Sequence, residues 1–319
     1  MDEKNLVGRI YDIQGFSVQD GPGIRTTAFL KGCPLRCPWC HSPESQAFYP
    51  QLSWVGMRCQ GTALCESRCL KACPRDALEL GEQREDAKTG EMLQMVHVKR
   101  DLCDNCGACA RVCYPKALYL CGEDYTVERL AARLLQDRKF YARSGGGVTI
   151  SGGEALSQAD FTVAILKRMK GEGIHTALDT TGFAPWPTLE RTLPWTDLYL
   201  YDLKHMDSEK HKAVIGVPNG QILDNARRLA AAGKKLQIRI PTIPMFNNDE
   251  ENFRKTAEFC RELGEAVTAV QLLPYHNLGV AKYLRISDKP VAEAVPPSEE
   301  QMQRLKALME EYGLPVTIH

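Results

Sequence analysis

From about Gly122 onward, short runs of β-branched and other apolar residues alternate with longer segments whose apolar positions recur at helical spacing. We predict strands at residues 25–31, 147–150, 174–180, 197–204, 236–243, 267–273 and 315–318. We predict helices at residues 160–170, 221–232, 251–263 and 299–312. This alternation is typical of a parallel α/β fold, in which functional residues follow the C-terminal ends of the strands.

The stretch before Gly122 follows a different pattern. Eight of the 13 cysteines fall between Cys59 and Cys113, where neither a helical nor a strand period is sustained. We therefore predict an insert at residues 49–121, which interrupts a barrel formed by residues 1–48 and 122–319. The two groups of cysteines in this insert are compatible with a degenerate duplication.

The charge balance limits the classes of partner. Lysine plus arginine and aspartate plus glutamate each number 40, so the formal charge is zero and nothing attracts nucleic acid or an acidic membrane strongly. Charged residues occupy the first positions, and no later segment reaches the length of a membrane span, so we expect a cytoplasmic protein. In a reducing cytosol, clustered cysteines are expected to bind metal and not to form disulfides.

Three cysteines lie together in the loop after the first predicted strand. Cys33, Cys37 and Cys40 are separated by three and then two residues, a spacing of thiolates that suits an iron–sulfur cluster or zinc. Three ligands would leave one iron of a four-iron cluster open to bind a small molecule and to pass an electron into it. The alternatives are a zinc site completed by His41, although adjacent Cys40 and His41 fit one tetrahedral ion poorly, and buried thiols without metal.

Polar residues follow other predicted strands. The pair Gly152-Gly153 precedes Glu154, and glycines let backbone atoms approach a ligand closely. Asp179 and Asp202 each lie at a predicted strand end, where a polar pocket is expected. Taken singly, the glycine pair would be an ordinary turn and each aspartate a helix cap or loop carboxylate.

Three further side chains have two interpretations each. Lys204 follows Asp202 closely and would pair either with a ligand carboxylate or with a barrel carboxylate in a salt bridge. Arg239 lies inside a predicted strand, so it needs a buried partner or a ligand. His276 follows an apolar strand, where a single histidine is more often structural than functional.

Together these motifs resemble the series found in glycyl-radical enzyme activating enzymes of the radical SAM superfamily. The series is Asp20-Gly21-Pro22-Gly23-Ile24-Arg25, the cysteine loop with Trp39 before its last cysteine, Ser151-Gly152-Gly153-Glu154, Asp179-Thr180-Thr181-Gly182, Tyr201-Asp202-Leu203-Lys204 and Leu273-Pro274-Tyr275-His276. The resemblance covers nearly all of residues 7–319. It implies a partial (βα)6 TIM-type radical SAM barrel in which a reduced cluster cleaves S-adenosylmethionine (SAM). The resulting 5′-deoxyadenosyl radical would remove a hydrogen atom from a glycine of a partner enzyme.

The resemblance also implies roles for individual residues. Cys33, Cys37 and Cys40 would hold the SAM-binding cluster, and with Lys204 they form the expected catalytic set. The expected SAM-binding residues are Trp39, Cys40, His41, Gly152, Gly153, Glu154, Asp179, Thr180, Asp202, Leu203, Lys204, Arg239 and His276, with a monovalent cation near SAM. Asp20 and Gly21 would hold the glycine-bearing peptide of the partner, although on its own their loop is an ordinary turn.

The insert carries a second cysteine pattern. Residues 103–113 show the C-x2-C-x2-C-x3-C spacing of bacterial ferredoxins, in which the fourth cysteine ligates the other cluster. Applied here, this crossover gives one four-iron cluster held by Cys103, Cys106, Cys109 and Cys73, and a second held by Cys59, Cys65, Cys69 and Cys113. The spacing of Cys59, Cys65 and Cys69 departs from the ferredoxin pattern, so Cys121 is an alternative ligand there. Zinc is the alternative for the whole insert.

We therefore expect an anaerobic activating enzyme with a ferredoxin-like insert, three [4Fe–4S] clusters and SAM. Its expected partners are a glycyl-radical enzyme and a flavodoxin or ferredoxin reductant, with the insert as an electron relay. Two alternatives remain: a radical SAM enzyme that acts on a small molecule, and an electron carrier whose barrel is only a scaffold. No residue separates the candidate partner enzymes by physical argument.

Overall fold

The structure, a computed structural model, describes residues 3–288 and 294–319. These residues divide into two compact units. We call residues 3–48, 124–279 and 294–319 the sheet unit, and residues 49–123 with 280–288 the cysteine unit. Throughout the described ranges, no helix is both long and apolar enough to cross a membrane.

One open sheet of nine strands organises the described part of the sheet unit. Its strands are β1 (Val7–Ser17), β2 (Arg25–Leu30), β7 (Glu123–Thr126), β8 (Gly147–Gly152), β9 (His175–Thr180), β10 (Leu198–Asp202), β11 (Lys235–Thr242), β12 (Val267–Pro274) and β13 (Val316–Ile318). The order is β13-β12-β11-β10-β9-β8-β2-β1-β7. Neighbours from β2 to β13 are parallel, whereas β1 is antiparallel to β2. The C-terminal ends of the parallel strands therefore meet along one edge of the sheet.

Helices connect the parallel strands and bury their apolar faces. They are α3 (Val127–Leu135), α4 (Arg138–Ser144), α5 (Ala159–Gly171), α6 (Trp186–Glu190), α7 (Ser208–Ile215), α8 (Gly220–Ala231), α9 (Glu250–Leu263) and α11 (Glu299–Glu310). Thr126 caps α3 by accepting a hydrogen bond from the N–H of Arg129 at 3.1 Å, and Asp249 caps α9 by accepting one from Asn252 at 2.9 Å. Each such cap stabilises its helix by about 1 kcal/mol.

The parallel part of the fold agrees with the sequence pattern. All seven predicted strands and all four predicted helices are present, and their ends differ by at most two residues. The prediction missed β1, because Arg9, Asp12 and Gln14 and two glycines interrupt its apolar residues, so no continuous run of β-branched residues marks the strand. It also missed α3, although Val127, Leu130 and Leu134 have helical spacing, and the short helices α4, α6 and α7, which contain few apolar positions.

The cysteine unit is made of two small antiparallel sheets and short helices. β3 (Gln51–Trp54) pairs with β6 (Leu118–Cys121), and β4 (Leu78–Glu85) pairs with β5 (Met92–Val98). Its helices are α1 (Arg68–Lys71), α2 (Ala108–Arg111) and α10 (Val280–Ile286). The buried core is small and consists of Leu52, Cys69, Leu78, Val96, Val98, Cys109, Ala110 and Leu118. A core of this size usually depends on a metal or other cross-link for stability.

Residues 280–288 group with the cysteine unit, whereas the sequence placed them in the barrel. Arg100 gives the physical reason. Its Nη1 donates to the carbonyl of Leu52 in β3, and its Nη2 donates to the carbonyl of Arg285 in α10, both at 2.6 Å. One guanidinium thus joins α10 to β3, and no local pattern reveals a contact between residues so distant in sequence.

Candidate active site

The loop that follows β2 places three thiols at the C-terminal end of the sheet. Backbone hydrogen bonds shape this loop: the N–H of Cys33 donates to the carbonyl of Gln46, and the N–H of Cys40 donates to that of Cys37, both at 3.2 Å. All three cysteines line one cavity of about 280 Å³. The cysteines singled out by their spacing therefore border a single space.

Burial controls the ionisation of these thiols. It raises the pKa of Cys33 to about 12, and the negative charge of Glu154 contributes to the rise. It raises the pKa of Cys37 to about 11, although Lys204 opposes the change, and it raises the pKa of Cys40. Buried thiols remain protonated at neutral pH unless a cation stabilises the thiolate. Three sulfur donors around one enclosed space fit an iron–sulfur cluster, whose irons supply that positive charge.

Charged side chains from three neighbouring strands line the same cavity. Asp179 lies near the end of β9, Asp202 ends β10, and Arg239 lies beside Asp202 in the parallel register of β11. Arg239 Nη1 is 3.2 Å from Asp179 Oδ2, and Lys204 Nζ is 2.7 Å from Asp202 Oδ2. The salt bridge considered for Lys204 is therefore present, and its ammonium group also borders the cavity.

The cavity contains more acidic than basic groups. Asp20 adds a third carboxylate, with Oδ1 3.8 Å from Arg239 Nη1. Burial raises the pKa of Asp179 to about 6, with Arg239 opposing the rise and Asp202 adding to it. Burial alone would lower the pKa of Lys204, but Asp202 and the nearby thiols raise it above its usual value, so Lys204 stays charged. Three carboxylates facing two cations favour a ligand that itself carries positive charge.

Glu154 connects two strand ends instead of lining the cavity. The side chain is buried, and its Oε1 accepts hydrogen bonds from Thr180 Oγ1 at 2.7 Å and from the N–H of Leu156 at 3.1 Å. Its Oε2 accepts from the N–H of Thr181 at 2.8 Å and from Thr181 Oγ1 at 2.6 Å. These four bonds join the segment after β8 to the end of β9. Glu154 and Thr180 thus belong to the frame of the cavity, and neither is among the residues that line it.

The structure places most of the predicted site residues around the cavity. Those that line it are Asp20, Cys33, Cys37, Trp39, Cys40, His41, Gly152, Gly153, Asp179, Asp202, Lys204 and Arg239. Leu203 instead packs in the hydrophobic core, and its N–H donates to the carbonyl of Arg239 at 2.9 Å. His276 is exposed and stacks on His41, with ring centroids 3.9 Å apart. Leu203 and His276 therefore support residues of the cavity wall without being part of it.

Several residues of the cavity wall were not predicted. They are Tyr11, Phe29, Leu35, Ser42, Ser45, Gln46, Ser151, Thr181, Pro241, Ile243 and Leu273. Ser151 Oγ donates to Asp179 Oδ2 at 2.7 Å. Hydrogen bonds from Ser42 and Gln46 partly offset the effect of burial on the pKa of Cys40. Ser42 and Gln46 could have been recognised from the sequence as polar residues that directly follow the cysteine loop. Tyr11 could not, because it belongs to the unpredicted β1.

Arg25 fixes the loop that carries Asp20. Its guanidinium is buried, and it donates to Thr149 Oγ1 at 2.7 Å and to the carbonyl of Pro22 at 3.2 Å. Thr149 Oγ1 in turn donates to the carbonyl of Asp20 at 2.7 Å. Gly21 adopts a φ of +114°, and a Cβ there would lie 3.2 Å from Arg25 Cδ. The loop therefore combines a buried anchor with a backbone turn that favours glycine.

Comparison with known proteins assigns the family. A sequence model of the radical SAM superfamily matches residues 105–260. The chain is 39% identical over 310 residues to the isethionate sulfite-lyase activating enzyme of Nitratidesulfovibrio vulgaris, and the match covers 96% of each chain. The chain belongs to the glycyl-radical enzyme activating enzymes. As a radical SAM enzyme, this activating enzyme uses a [4Fe–4S] cluster and SAM.

Two further relatives carry different names. The activating enzyme is 40% identical over 305 residues to the trans-4-hydroxy-L-proline dehydratase activating enzyme of Clostridioides difficile, across 94% of this chain and 95% of the relative. It is 37% identical over 322 residues to the indoleacetate decarboxylase activating enzyme of Tractidigestivibacter scatoligenes, across 100% of this chain and 99% of the relative. Similar identities to three differently named relatives do not select one partner.

The cysteine unit of this activating enzyme has two cavities, each lined by four cysteines. One cavity is lined by Cys73, Cys103, Cys106 and Cys109. The other, of about 220 Å³, is lined by Cys59, Cys65, Cys69 and Cys113. This division has the crossed arrangement inferred from the ferredoxin spacing. Cys121 lies in β6 and Cys260 in α9, and neither borders either cavity.

The two groups share local features. The N–H of Ala77 donates to Cys73 Sγ, and the N–H of Leu118 donates to Cys113 Sγ, both at 3.3 Å. Burial raises the pKa of Cys109 to about 12, with the charges of Cys103 and Cys73 adding to the rise. Hydrogen bonds to sulfur are a common feature around cluster ligands. Across residues 3–288 and 294–319, no three His, Cys, Asp or Glu side chains are arranged to hold a single metal ion.

Proposed function

We propose that this activating enzyme cleaves SAM reductively and uses the 5′-deoxyadenosyl radical to remove a hydrogen atom from a glycine of a partner glycyl-radical enzyme. The observation that carries the proposal is the single cavity lined by three cysteines and by the charged side chains of three neighbouring strands. The names of the relatives, which are all activating enzymes, support the same reaction. In this reaction one electron and SAM yield methionine and 5′-deoxyadenosine, and the partner retains a glycyl radical.

Cys33, Cys37 and Cys40 would hold the SAM-binding cluster. When bound, that cluster supplies the electron that breaks the bond between the SAM sulfur and C5′. Cys33 and Cys37 pack with Leu35 and Trp39, and the centroid of the Trp39 ring lies 4.7 Å from that of the Phe246 ring. This apolar surface reduces the access of water, which protects a reactive radical from side reactions.

The charges around the cavity suit the groups of SAM. Lys204 has donors available for the SAM carboxylate while it remains bound to Asp202. Asp179 and Asp202 suit the SAM amine or a monovalent cation beside it. A Cβ at Gly153 would lie 2.9 Å from Cys33 Cβ, so glycine allows the close approach of this backbone to the cysteine loop. Gly152, Arg239 and His41 complete the proposed SAM site, and His276 positions His41 by stacking on its ring.

The Asp20 loop is proposed to hold the glycine-bearing peptide of the partner. Asp20 Oδ2 accepts hydrogen bonds from Ser17 at 2.7 Å and from Thr27 at 2.9 Å, which orients the carboxylate. Its Oδ1 lies 3.8 Å from Arg239 Nη1, which is longer than a hydrogen bond. This oxygen therefore retains capacity to accept hydrogen bonds from peptide N–H groups. Gly21 has no side chain to obstruct an extended peptide beside it.

The cysteine unit is proposed to be a ferredoxin-like insert with two [4Fe–4S] clusters. The two four-cysteine cavities support this proposal, since each contains the set that the ferredoxin crossover requires. The clusters would receive electrons from a flavodoxin or ferredoxin and pass them on to the SAM-binding cluster. Redox-active clusters held by buried thiolates suit such a relay.

The central experiment measures 5′-deoxyadenosine and the protein radical together. With dithionite, SAM and a partner enzyme, the wild type should form 5′-deoxyadenosine and a glycyl radical visible by electron paramagnetic resonance. Cys37→Ala should form neither, whereas Cys260→Ala, which removes a buried thiol outside the cavity, should form both. An enzyme for a small molecule would cleave SAM without a radical on any partner, and an electron carrier would not cleave SAM.

A second experiment separates the partner site from the SAM site. Asp20→Asn keeps the shape of the side chain but replaces half of its acceptor capacity with an amide donor. We expect weaker activation of the partner and unchanged formation of 5′-deoxyadenosine with dithionite alone. Unchanged activation of the partner would contradict the proposed role of Asp20.

A further inference from the structure

We propose that Phe16, Val18 and Phe140, with the neighbouring cations Lys139 and Arg143, form the surface on which the glycyl-radical enzyme docks. We call this set the Phe16 surface. It lies entirely within the sheet unit and rests on the proposed function, because it assigns the contact made by the partner outside the cavity. The occupant expected there is a face of the glycyl-radical enzyme with an apolar side chain among acidic ones.

Phe16 is directed outward by an irregularity in β1. The pairing of β1 with β2 shifts register between Gln14 and Ser17, and Phe16 within this interval adopts a φ of +58°. A positive φ is a genuine outlier for a bulky side chain, and the Phe16 side chain is also 56% exposed. β-bulges redirect side chains, and strained residues concentrate at functional sites. Both the strain and the exposure disfavour the folded state, so they point to a use for this ring.

The exposed ring is paired with a second aromatic ring. Phe16 packs edge-on against Phe140 of α4, with ring centroids 4.6 Å apart and an angle of 63° between the planes. Phe140 is 39% exposed and Val18 is 67% exposed. Scattered exposed apolar residues are ordinary, but adjacent aromatic side chains are typical of the central contacts of protein interfaces.

Hydrogen bonds join this surface to the Asp20 loop. Ser17, the neighbour of Phe16, donates to Asp20 Oδ2 at 2.7 Å. Ser144, the last residue of α4, accepts from the N–H of Ile24 at 2.9 Å. Asp20 itself lines the active-site cavity. A protein that inserts its glycine at this cavity must rest on the surface around Asp20, and the Phe16 surface is continuous with that loop.

The charge of α4 identifies the chemistry of the occupant. Lys139 and Arg143 are exposed on either side of Phe140, whereas Arg138 is bound to Glu172 at 3.2 Å. The helix itself contains no acidic residue. Interfaces pair potentials of opposite sign, so the partner should present carboxylates around its apolar anchor.

The test uses the full-length enzyme loaded with iron and sulfide. Its partners are isethionate sulfite-lyase, trans-4-hydroxy-L-proline dehydratase and indoleacetate decarboxylase, and measurements continue with those on which the wild type forms a radical. Phe140→Ala should raise the KM for the partner at least about tenfold. Val214→Ala is the matched control, because Val214 is 36% exposed on α7 of the same unit, and this change should leave KM unaltered. None of these variants should alter 5′-deoxyadenosine formation with dithionite alone.

Charge reversal tests the electrostatic part. In the wild type, the KM for the partner should rise with salt because screening weakens attraction between opposite charges. Lys139→Glu combined with Arg143→Glu should raise KM at low salt, and added salt should then lower it. Lys212→Glu on α7 is the matched control and should retain the salt dependence of the wild type.

Phe16→Gly separates docking from folding. Glycine accepts the left-handed conformation without strain, so the thermal midpoint should stay the same or rise while the KM for the partner increases. If the Phe16 ring had only a structural role, Phe16→Gly would lower the thermal midpoint and leave the KM for the partner unchanged.

The outcomes separate failure of the Phe16 surface from failure of the proposed function. A radical on a partner with unchanged KM in Phe140→Ala and Phe16→Gly overturns the Phe16 surface alone. Absence of a radical on all three partners overturns both proposals. Analytical ultracentrifugation tests for a dimer. If these variants lose a dimer while the KM for the partner is unchanged, the surface binds a second copy of this chain and the proposed docking of the partner is overturned.

Discussion

Buried charged side chains in the sheet unit are held by partners that lie far away along the chain. Arg239 contacts Asp179 and Asp20, and Arg25 contacts Thr149. A buried charge that loses its partner costs several kcal/mol, so single substitutions among these residues have large effects. At the residue scale, stability and function therefore depend on the same hydrogen bonds.

Glu154 is the clearest case. Glu154→Ala should lower the free energy of unfolding by about 3 kcal/mol, because four hydrogen bonds are lost and their buried donors remain unpaired. Chemical denaturation of the apoprotein measures this change. Thr181→Val removes the hydroxyl that donates to Glu154 and accepts from the N–H of Phe183, and it should cost about 1 kcal/mol. Equal losses in both variants would contradict the role given to the carboxylate.

His175 gives a prediction for pH. Burial lowers its pKa, and the charge of Arg25, 3.3 Å away at Nη1, lowers it further. The unfolded chain binds a proton below about pH 6.5 while the folded chain does not, so stability is lost as pH falls through this range. His175→Gln should flatten the fall of the thermal midpoint between about pH 7 and pH 5. The same fall in both proteins would show that other groups cause it.

At the scale of elements, close backbone contacts position the strand ends. Gly152 ends β8 with a φ of +141°, and a Cβ there would lie 2.1 Å from the carbonyl oxygen of Leu30. Such a contact cannot be relieved by a side-chain rotation, because the obstacle is backbone. The geometry of the cavity therefore depends on a glycine that brings β8 against the end of β2.

Gly152→Ala should separate these strand ends. We expect a loss of more than about 2 kcal/mol in unfolding free energy and weaker SAM binding, measured by denaturation and by calorimetry. Gly171→Ala is the control, since a Cβ at Gly171 meets nothing within 4 Å and alanine favours helix. Unchanged SAM affinity in Gly152→Ala would remove this glycine from the proposed site.

At the scale of the whole molecule, the two units differ in what stabilises them. The sheet unit has an extensive apolar core, whereas the buried core of the cysteine unit is small and includes Cys69 and Cys109 themselves. Metal binding contributes to folding wherever the apolar core is limited. With the two proposed clusters in place, the cysteine unit should therefore lose order when iron is removed, while the sheet unit keeps its fold.

Replacement of Cys73, Cys103, Cys106 and Cys109 by serine tests the clusters and the relay. The wild type should bind about twelve irons per chain and the variant about eight, since each cluster contains four. The variant should form 5′-deoxyadenosine with dithionite but should be slow with reduced flavodoxin. Cys121→Ser, outside both cavities, should behave as the wild type. Full activity of the variant with flavodoxin would defeat the relay, and unchanged iron would defeat the cluster assignment.

Local pattern predicted the parallel strands, four of their helices and the groups of cysteines, because side-chain period and ligand spacing are properties of neighbouring residues. It did not predict β1 or Tyr11, because polar residues and glycines interrupt the apolar residues of β1, which pairs antiparallel outside the βα array. It also did not show that the Glu154 side chain joins two strand ends or that Leu203 lies in the core. A motif shows that a residue lies near a site but does not show which way its side chain points.

The sequence by itself thus determined the α/β class, the three-cysteine loop and the two crossed groups of four cysteines in the insert. Only the tertiary structure decided that Glu154 binds Thr180 and Thr181, that Leu203 lies in the core, that α10 joins the cysteine unit and that Phe16 packs edge-on against Phe140. The physical reason is the same in each case. Hydrogen bonding and burial depend on residues that are distant along the chain and become neighbours only in the folded protein.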